Sequence, residues 1–384
     1  MMALFSLSAG KNDEGLSFLQ RVSSSSWKGP AGVLQAGIYL KEKKSSAALE
    51  VLRRSSRRLN GFWTWRARLL MEKLPREVLG KWRKELRMRS RETSPSGLRA
   101  LREWAILEFE DSIRGEIRGL IAAEKPSAPE PSPTEIKGLA GELHQAGLTR
   151  LALRWDPRSY PNDTPGKSLW SAIQAHNFPR RALRMGDQAW RQWASDFPPD
   201  SADLRLLEAL YPLPHPEDLR RAIVGRSFLH WPLLAAVARE ESRWDPQALS
   251  AVGARGLLQL MPATAEKAAR REGIESPRPS DLFQRKLNLR LGASELENLL
   301  RHFDGFSPAA IAAYNAGTDQ AELWQLQCGK NCPMENYVLM IGFDATRNYT
   351  ADVLLAEAVH ELRERNAALR EPSAPLPATG ESAR

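Results

Sequence analysis

The sequence lacks long apolar runs, cysteine-rich segments and strand-like alternation. No stretch approaches the roughly eighteen consecutive apolar residues that a membrane-spanning helix requires. Two cysteines among 384 residues cannot complete a structural zinc site, and no His-x-x-x-His pattern accompanies them. Period-2 alternation of apolar and polar residues is missing, so nothing predicts a sheet. These absences exclude a membrane-spanning helix and a domain built around a structural zinc ion, and they favour an all-α fold.

The two cysteines, Cys328 and Cys332, lie in the segment CGKNC. In an oxidising compartment they could close a small local disulfide, with Gly329 easing the turn. Two free thiols are an equally good interpretation, and a redox role is a weaker third.

The charge balance is basic, with 55 Lys and Arg against 46 Asp and Glu and a formal net charge of +9. Such an excess suits a polyanionic partner, and nucleic acid or an anionic cell wall would both qualify. The basic stretch from Arg53 to Arg102 is interleaved with Leu, Trp and Glu at helical spacing, which predicts a solvated helix face. No nucleic-acid-binding motif is present, so charge alone does not decide.

Helical periodicity dominates the first half of the chain. Apolar stripes around residues 34–39 and 47–52 flank the polar segment KEKKSS and predict an αα-hairpin. Residues 125–134 carry four prolines and form the clearest break. Residues 143–154 and 173–184 then resemble each other thirty residues apart, a period typical of stacked helical hairpins. We therefore expect a helical superhelix over residues 1–204, with most of the twelve tryptophans serving as packing.

The stretch Trp231–Ala265 contains the most informative pattern. Leu234, Val237, Ala238 and Glu241 recur at i, i+3, i+4 and i+7, so an apolar helix stripe ends on a carboxylate. A glutamate on a core-facing stripe is desolvated, which raises its pKa and suits it to general acid catalysis. The neighbouring Glu240 is expected on the solvated side, and Asp245-Pro246 is expected to stop the helix. Periodicity alone equally allows Glu241 to be a paired structural glutamate.

The residues after this helix carry a family resemblance. Glu241-Ser242 is followed by SAVGARGLLQLMP over residues 250–262, which resembles the first motif of the lytic murein transglycosylases of the soluble, goose-lysozyme-like type. Further along, Asn288 and Gly292 match positions of that family, whereas Glu295 stands where the family usually has an aromatic residue. AAIAAYNAG over residues 309–317 resembles a second motif. FDATRNYTADV over residues 343–353 resembles a third, although Ala345 replaces a glutamate and Leu339 replaces an acidic residue just upstream.

The resemblance implies a fold and a domain plan. A helical-hairpin superhelix would be followed by a lysozyme-like, mainly helical catalytic domain over residues 205–368. The remaining residues, 369–384, are predicted from composition to form a disordered tail.

The resemblance also implies a reaction and a site. Glu241 would act as the only acid and base in cleaving the bond between MurNAc and GlcNAc, giving a 1,6-anhydro product without metal or cofactor. The expected substrate-binding residues share the three motifs and are Ser250, Gly256, Gln259, Met261, Tyr314, Asn315 and Tyr349. Ser250 and Tyr314 would contact N-acetyl or glycan groups, and Gly256 would let the backbone approach the sugar.

Two competing functions remain open. A hydrolytic muramidase would need a second carboxylate, for which Asp245 and Asp304 are the candidates. A non-catalytic peptidoglycan-binding scaffold is favoured by Ala345 and Leu339. In each case peptidoglycan glycan strands are the expected partner, and the helical part could bind cell-wall machinery.

The expected location is the periplasm or cell envelope, because murein lies outside the cytoplasm. The apolar segment of residues 3–9 has no basic residue before it and is barely long enough for a signal peptide. We therefore expect Met1 to lie inside a longer gene product. The alternative is that residues 3–9 belong to an atypical signal peptide.

Overall fold

A computed structural model describes residues 2–8, 11–59, 61–92, 94–124, 180, 183, 210–329 and 332–368. Within these ranges the fold is all-α, which confirms the predicted class. The only β pairing there consists of two isolated bridges, Leu249 with Arg255 and Arg255 with Leu260. None of the described helices is long and apolar enough to cross a bilayer.

The first group of helices forms stacked antiparallel hairpins. Its members are α1 Met2–Ser8, α2 Asn12–Gln20, α3 Ser25–Lys41, α4 Ser45–Ser55, α5 Gly61–Met71, α6 Arg76–Arg89, α7 Pro95–Leu107 and α8 Asp111–Glu124. The predicted hairpin around KEKKSS is confirmed as α3 and α4, whose apolar faces meet at buried Val51 and Leu52. Trp82 and Trp104 lie in the same core, at 2% and 0% exposed, as expected for packing tryptophans.

Ion pairs hold these hairpins together. Arg53 donates to both Glu85 and Glu103, and Arg83 donates to Glu108 and Glu110. These arginine side chains are only 23% and 15% exposed. The predicted solvated face is found at Arg54, Lys81 and Lys84, which are exposed. It is not found at Arg53 and Arg83, because carboxylates 25 to 50 residues away in sequence lie beside these two arginines when the helices stack.

The second group of helices surrounds a separate apolar helix. Its members are α9 Pro216–Ala222, α10 Trp231–Ser242, α11 Pro262–Arg271, α12 Arg285–His302, α13 Ser307–Ala316, α14 Thr318–Cys328, α15 Met334–Met340 and α16 Asp344–Ala368. Residues 233–238 of α10 are fully buried at its centre. The long helix α16 lies along α10 and also contacts α5 of the first group.

One of the two hydrophobic clusters among the described residues contains side chains of both groups. Leu34, Ile38 and Phe62 of the first group belong to the same buried cluster as the residues of α10 and α16. Leu4 of α1 is buried in that cluster, and α1 packs against α14 and α15. Residues on both sides of the proposed domain boundary near residue 205 contribute to this cluster, so the two parts are joined by packing as well as by the chain.

A disulfide joins Cys328 to Cys332, with their Cα atoms 5.5 Å apart. Of the two interpretations of CGKNC, the structure has the oxidised one. The Pro-rich break at residues 125–134, the loose repeat at 143–184 apart from residues 180 and 183, and the predicted tail at 369–384 lie outside the described residues.

Candidate active site

Helix α10 carries Glu241 in its last turn. Pro232 occupies the first turn, and the buried stripe runs from there to Ala238. The helix ends at Ser242, because Arg243 and Trp244 adopt left-handed backbone angles with φ of 51° and 65°. The predicted stop at Asp245-Pro246 is therefore two residues late. Trp244 is 4% exposed and seals the core behind the turn.

Glu241 is a desolvated carboxyl group with one hydrogen-bond donor. Burial raises its pKa to about 7, while the Tyr349 hydroxyl, donating to Glu241 Oε1 at 2.7 Å, lowers that pKa and the charge of Glu240 raises it. In the part of the chain that the structure describes, no Lys, Arg or His pairs with Glu241. The apolar stripe ends on a carboxyl group that is half protonated near neutral pH, so it can donate and later recover a proton.

Glu240 differs from the expectation. Its carboxylate accepts from the Arg239 guanidinium, and its side chain is only 19% exposed. It therefore lies in a partly buried ion pair instead of on a solvated face.

The loop after α10 is held by its own polar groups. The Ser250 hydroxyl accepts from the Ala254 N–H at 3.0 Å, and the Gln259 amide donates to the carbonyls of Ala248 and Gly256 at 3.2 and 2.9 Å. Gln259 has a φ of 43°, a left-handed conformation that these bonds help to maintain. Both predicted binding residues, Ser250 and Gln259, thus have structural partners in this loop.

Gly256 is required by internal packing. A Cβ atom there would lie 2.3 Å from the Leu282 carbonyl oxygen and 2.4 Å from Asn288 Nδ2, and its φ is 76°. The residue is buried. Internal packing by itself therefore accounts for the glycine, and the approach of a sugar to the backbone at Gly256 stays a prediction.

Asn288 fixes this loop from α12. It is fully buried, accepts from the Leu258 N–H at 2.8 Å, and donates to the carbonyls of Arg255 and Leu282 at 3.0 and 2.9 Å. Gly292, one turn later, leaves room for the Leu258 side chain. Sequence reasoning identified both only as family matches and missed their joint role in positioning the loop.

The second motif lies at the end of α13. Tyr314 donates to the Leu258 carbonyl at 2.7 Å, and burial together with the Glu241 charge raises its pKa. Asn315 is exposed, and its side-chain oxygen accepts from the Thr346 hydroxyl at 2.7 Å. Tyr314 thus ties the first motif to the second, and Asn315 ties the second to the third.

The structure gathers Glu241, Tyr314 and Tyr349 into one electrostatic cluster, since each influences the pKa of another. Among the predicted binding residues, Tyr349 forms a hydrogen bond to Glu241. Met261 is 40% exposed and directly precedes α11.

Asp352 was missed by sequence reasoning. It lies on α16 three residues after Tyr349, and desolvation together with the Glu240 charge raises its pKa to about 6, although the residue as a whole is exposed. The spacing from Tyr349 within the third motif was the available signal, because residues three apart share a helix face.

The departures from the family pattern differ in burial and in partners. Ala345 is exposed at the start of α16, whereas Leu339 is buried in the shared core. Glu295, where the family pattern has an aromatic residue, pairs with Arg271.

The two carboxylates considered for a muramidase are engaged elsewhere. Asp245 pairs with Arg180 at 2.5 Å, and its other oxygen accepts from the Gln247 N–H at 3.0 Å. Asp304 lines a cavity with Asp319 and Glu322, and Glu241 is not part of that cavity.

One group among the described residues has the composition of a metal site. His230, Glu357 and Glu361 place one donor atom each within 4.8 Å of one another. Hydrogen bonds to Glu357 and Glu361 raise the pKa of His230 to about 9, so the histidine is a cation bridging two carboxylates at neutral pH. We interpret the group as an ion triad that ties the start of α10 to α16.

The region that contains Glu241 and Tyr314 is also the region that is similar to known proteins. The family model described as "Transglycosylase SLT domain" matches residues 222–332. The soluble lytic murein transglycosylase of Salmonella typhimurium is 32% identical over 155 residues, which are 40% of this chain and 24% of that protein. The membrane-bound lytic murein transglycosylase F of Alcanivorax borkumensis is 37% identical over 116 residues, 29% of this chain and 23% of that protein.

Solved structures share the fold over more of the chain. The 70 kDa soluble lytic transglycosylase of Escherichia coli superposes with a TM-score of 0.62 at 18% identity, covering 94% of this chain and 50% of that one. A 70 kDa soluble lytic transglycosylase in complex with bulgecin A gives 0.63 at 19% identity, covering 98% and 52%. The chain thus spans about a quarter of the curated relatives' length and about half of these structures. Residues 222–332 of the chain are thus similar to the transglycosylase SLT domain family.

Proposed function

We propose that this protein is a lytic murein transglycosylase that cleaves the bond between MurNAc and GlcNAc of peptidoglycan. The observation that carries the proposal is Glu241, a buried carboxyl group with a pKa of about 7, no paired cation among the described residues, and a hydroxyl donor at 2.7 Å. The relatives named above support the reaction class.

The proposed reaction uses Glu241 twice. Protonated Glu241 gives its proton to the glycosidic oxygen as the bond from MurNAc C1 to that oxygen breaks, and the GlcNAc hydroxyl leaves. The MurNAc N-acetyl group assists from within the substrate. The carboxylate then accepts the C6 hydroxyl proton as that oxygen bonds to C1, which forms the 1,6-anhydro ring and restores Glu241. No water is consumed, and attack within one bound sugar has a high effective molarity.

The tyrosines adjust this proton transfer. Tyr349 donates to Glu241 Oε1, so it stabilises the carboxylate form that exists between the two steps. Tyr314, whose hydroxyl bonds the Leu258 carbonyl, fixes the loop beside the acid. The other proposed cleft residues are Ser250, Gln259, Met261 and Asn315. The hydrogen bonds of Ser250, Gln259 and Asn315 hold the shape of the cleft.

A single-carboxylate mechanism agrees with the surroundings of Glu241. Asp245 is paired with Arg180 and Asp304 lines a different cavity, so neither is set up to hold a water for a hydrolytic muramidase. Because murein lies outside the cytoplasm, we place the protein in the periplasm or cell envelope. Residues 1–204 are proposed as a helical domain that could bind cell-wall machinery, with residues 205–368 as the catalytic domain.

The test is mass spectrometry of muropeptides released from purified murein by the wild type, Glu241→Gln and Glu240→Gln. We expect products one water lighter than hydrolytic muropeptides from the wild type and from Glu240→Gln, and at least a thousandfold slower release from Glu241→Gln. Full-mass reducing products would replace the proposal with a muramidase. Absence of product from a folded wild type would favour the scaffold.

A further inference from the structure

A second cavity lies where the first group of helices meets the disulfide. It has a volume of about 860 Å³ and is lined by residues of α3, α4 and α5, by Cys328 and by residues 332–336. Glu241, Tyr314 and Tyr349 do not line it. The cavity is therefore separate from the proposed active site.

The rim of this cavity is positively charged. Lys41, Lys43 and Lys73 line it, all three are exposed, and none forms an ion pair with a described residue. The one carboxylate in the lining, Glu335, is already paired with Arg66 at 2.5 Å. Three lysine charges thus face the same space without a carboxylate to balance them.

This excess contrasts with the neighbouring helices. Arg53, Arg83 and Arg87, on α4 and α6, each pair with a glutamate from another part of the stack. Carboxylates balance these three arginines, whereas none is paired with the three lysines at the cavity among the described residues. Clustered like charges repel, so an arrangement of this kind favours a bound anion.

The floor of the cavity is apolar. Leu34, Ile38 and Leu70 line it and are 4% to 6% exposed, and Met334 and the disulfide complete the wall. A bare inorganic anion would leave this surface in contact with water. A ligand that carries both carboxylates and aliphatic groups would cover it and gain from burial.

We propose that this cavity binds a short acidic peptide, with its carboxylates on Lys41, Lys43 and Lys73 and its aliphatic groups on the floor. In the cell the source would be a murein stem peptide, a choice that rests on the proposed function. Binding there would hold the peptide side of the substrate at the junction of the two helix groups, apart from the cleft that holds glycan.

The test is calorimetric or NMR titration of the full chain, in the Glu241→Gln background, with the free murein tetrapeptide. We expect Lys41→Gln/Lys43→Gln/Lys73→Gln to raise the Kd about tenfold or more, and added salt to weaken binding to the unsubstituted cavity. The matched control Lys84→Gln/Lys267→Gln/Lys286→Gln removes the same charge from exposed lysines outside the cavity and should change the Kd less than about twofold. Thermal unfolding checks that both triple variants fold.

Three results would overturn the proposal. They are no binding of the tetrapeptide, an equal loss in both triple variants, and inorganic phosphate binding as tightly as the peptide. An amidated tetrapeptide without free carboxylates should not bind. Because the probe contains no glycosidic bond, these results are independent of whether murein is cleaved, so failure here and failure of the proposed function are distinguishable.

Discussion

Two glutamates, Glu108 in the hairpin stack and Glu241 at the end of α10, show how differently the two parts of the molecule treat a buried carboxyl group. Glu108 is 0% exposed and accepts from Arg83 at 2.6 and 2.9 Å, from Trp104 Nε1 at 3.1 Å, and from the N–H groups of Phe109 and Glu110 at 3.1 Å. Glu241 has one hydroxyl donor and no cation.

The different partners of the two glutamates indicate different roles, one structural and one chemical. Glu108 accepts from one cation and from three further N–H donors, and its role is to hold α6 and α7 together. A desolvated carboxyl group with a single donor can exchange a proton near neutral pH. A glutamate on a helix stripe fits either description in sequence, and its partners decide which applies.

The largest expected effect on stability comes from breaking the Glu108 cluster. Glu108→Ala should destabilise the fold by about 3–5 kcal/mol, because it leaves the Arg83 charge partly buried and several donors unpaired. Urea unfolding measures the loss, and Glu108→Gln should retain part of the stability. A loss below about 1 kcal/mol would show that the cluster is not structural.

A change in stability of the opposite sign is expected when Glu241 is replaced. The pKa of Glu241 is raised in the folded state, so the folded protein retains a proton that the unfolded chain has lost, and stability falls as pH rises from about 4.5 to about 7. Glu241→Gln lacks this loss and should be more stable than the wild type at pH 8, by on the order of 3 kcal/mol at most. Urea midpoints at pH 5 and pH 8 measure it. Equal pH dependence in both proteins would contradict the raised pKa.

A smaller effect should appear in the alkaline limb of the activity profile. Activity requires protonated Glu241 and should fall as pH rises through about 7. Tyr349→Phe removes a donor to the carboxylate and should move this limb to higher pH, whereas Glu240→Gln removes a negative charge and should move it to lower pH. The measurement is kcat/KM against pH for the three proteins. Shifts in the same direction would contradict the assigned causes.

The smallest effect is expected at an exposed pair. Lys81 and Glu77 lie four residues apart on α6, at 2.9 Å, with side chains 79% and 81% exposed. Lys81→Gln should leave the urea midpoint unchanged within error, because solvent screens the pair. A clear loss would show that charge count, and not burial, sets the contribution of ion pairs in this stack.

The sequence predicted what depends on local periodicity and on fixed motif spacing. The α3–α4 hairpin, α10 with Glu241 on its stripe, and the helical class all followed from apolar spacing within a few turns. The family motifs pointed to Tyr314 and Tyr349 before any geometry was known.

Partners that are distant in the chain could not be predicted. Nothing near Arg53 indicates that Glu103 will lie beside it, and the role of Gly256 depends on Asn288, thirty-two residues later. The end of α10 was placed two residues late because Arg243 and Trp244, with ordinary side chains, adopt left-handed angles that the tertiary packing of Trp244 supports.

Helix α16 has a consequence for the timing of folding. It supplies the Tyr349 hydroxyl that donates to Glu241 and the two carboxylates of the His230 triad. Tyr349 lies 108 residues after Glu241 in the chain. During synthesis the acid-bearing helix leaves the ribosome long before these partners, whereas α3 to α7 can close their contacts among near neighbours. We therefore expect hydrogen-exchange protection to develop first in the hairpin stack. Glu241 should acquire its partner Tyr349 in the final step of folding.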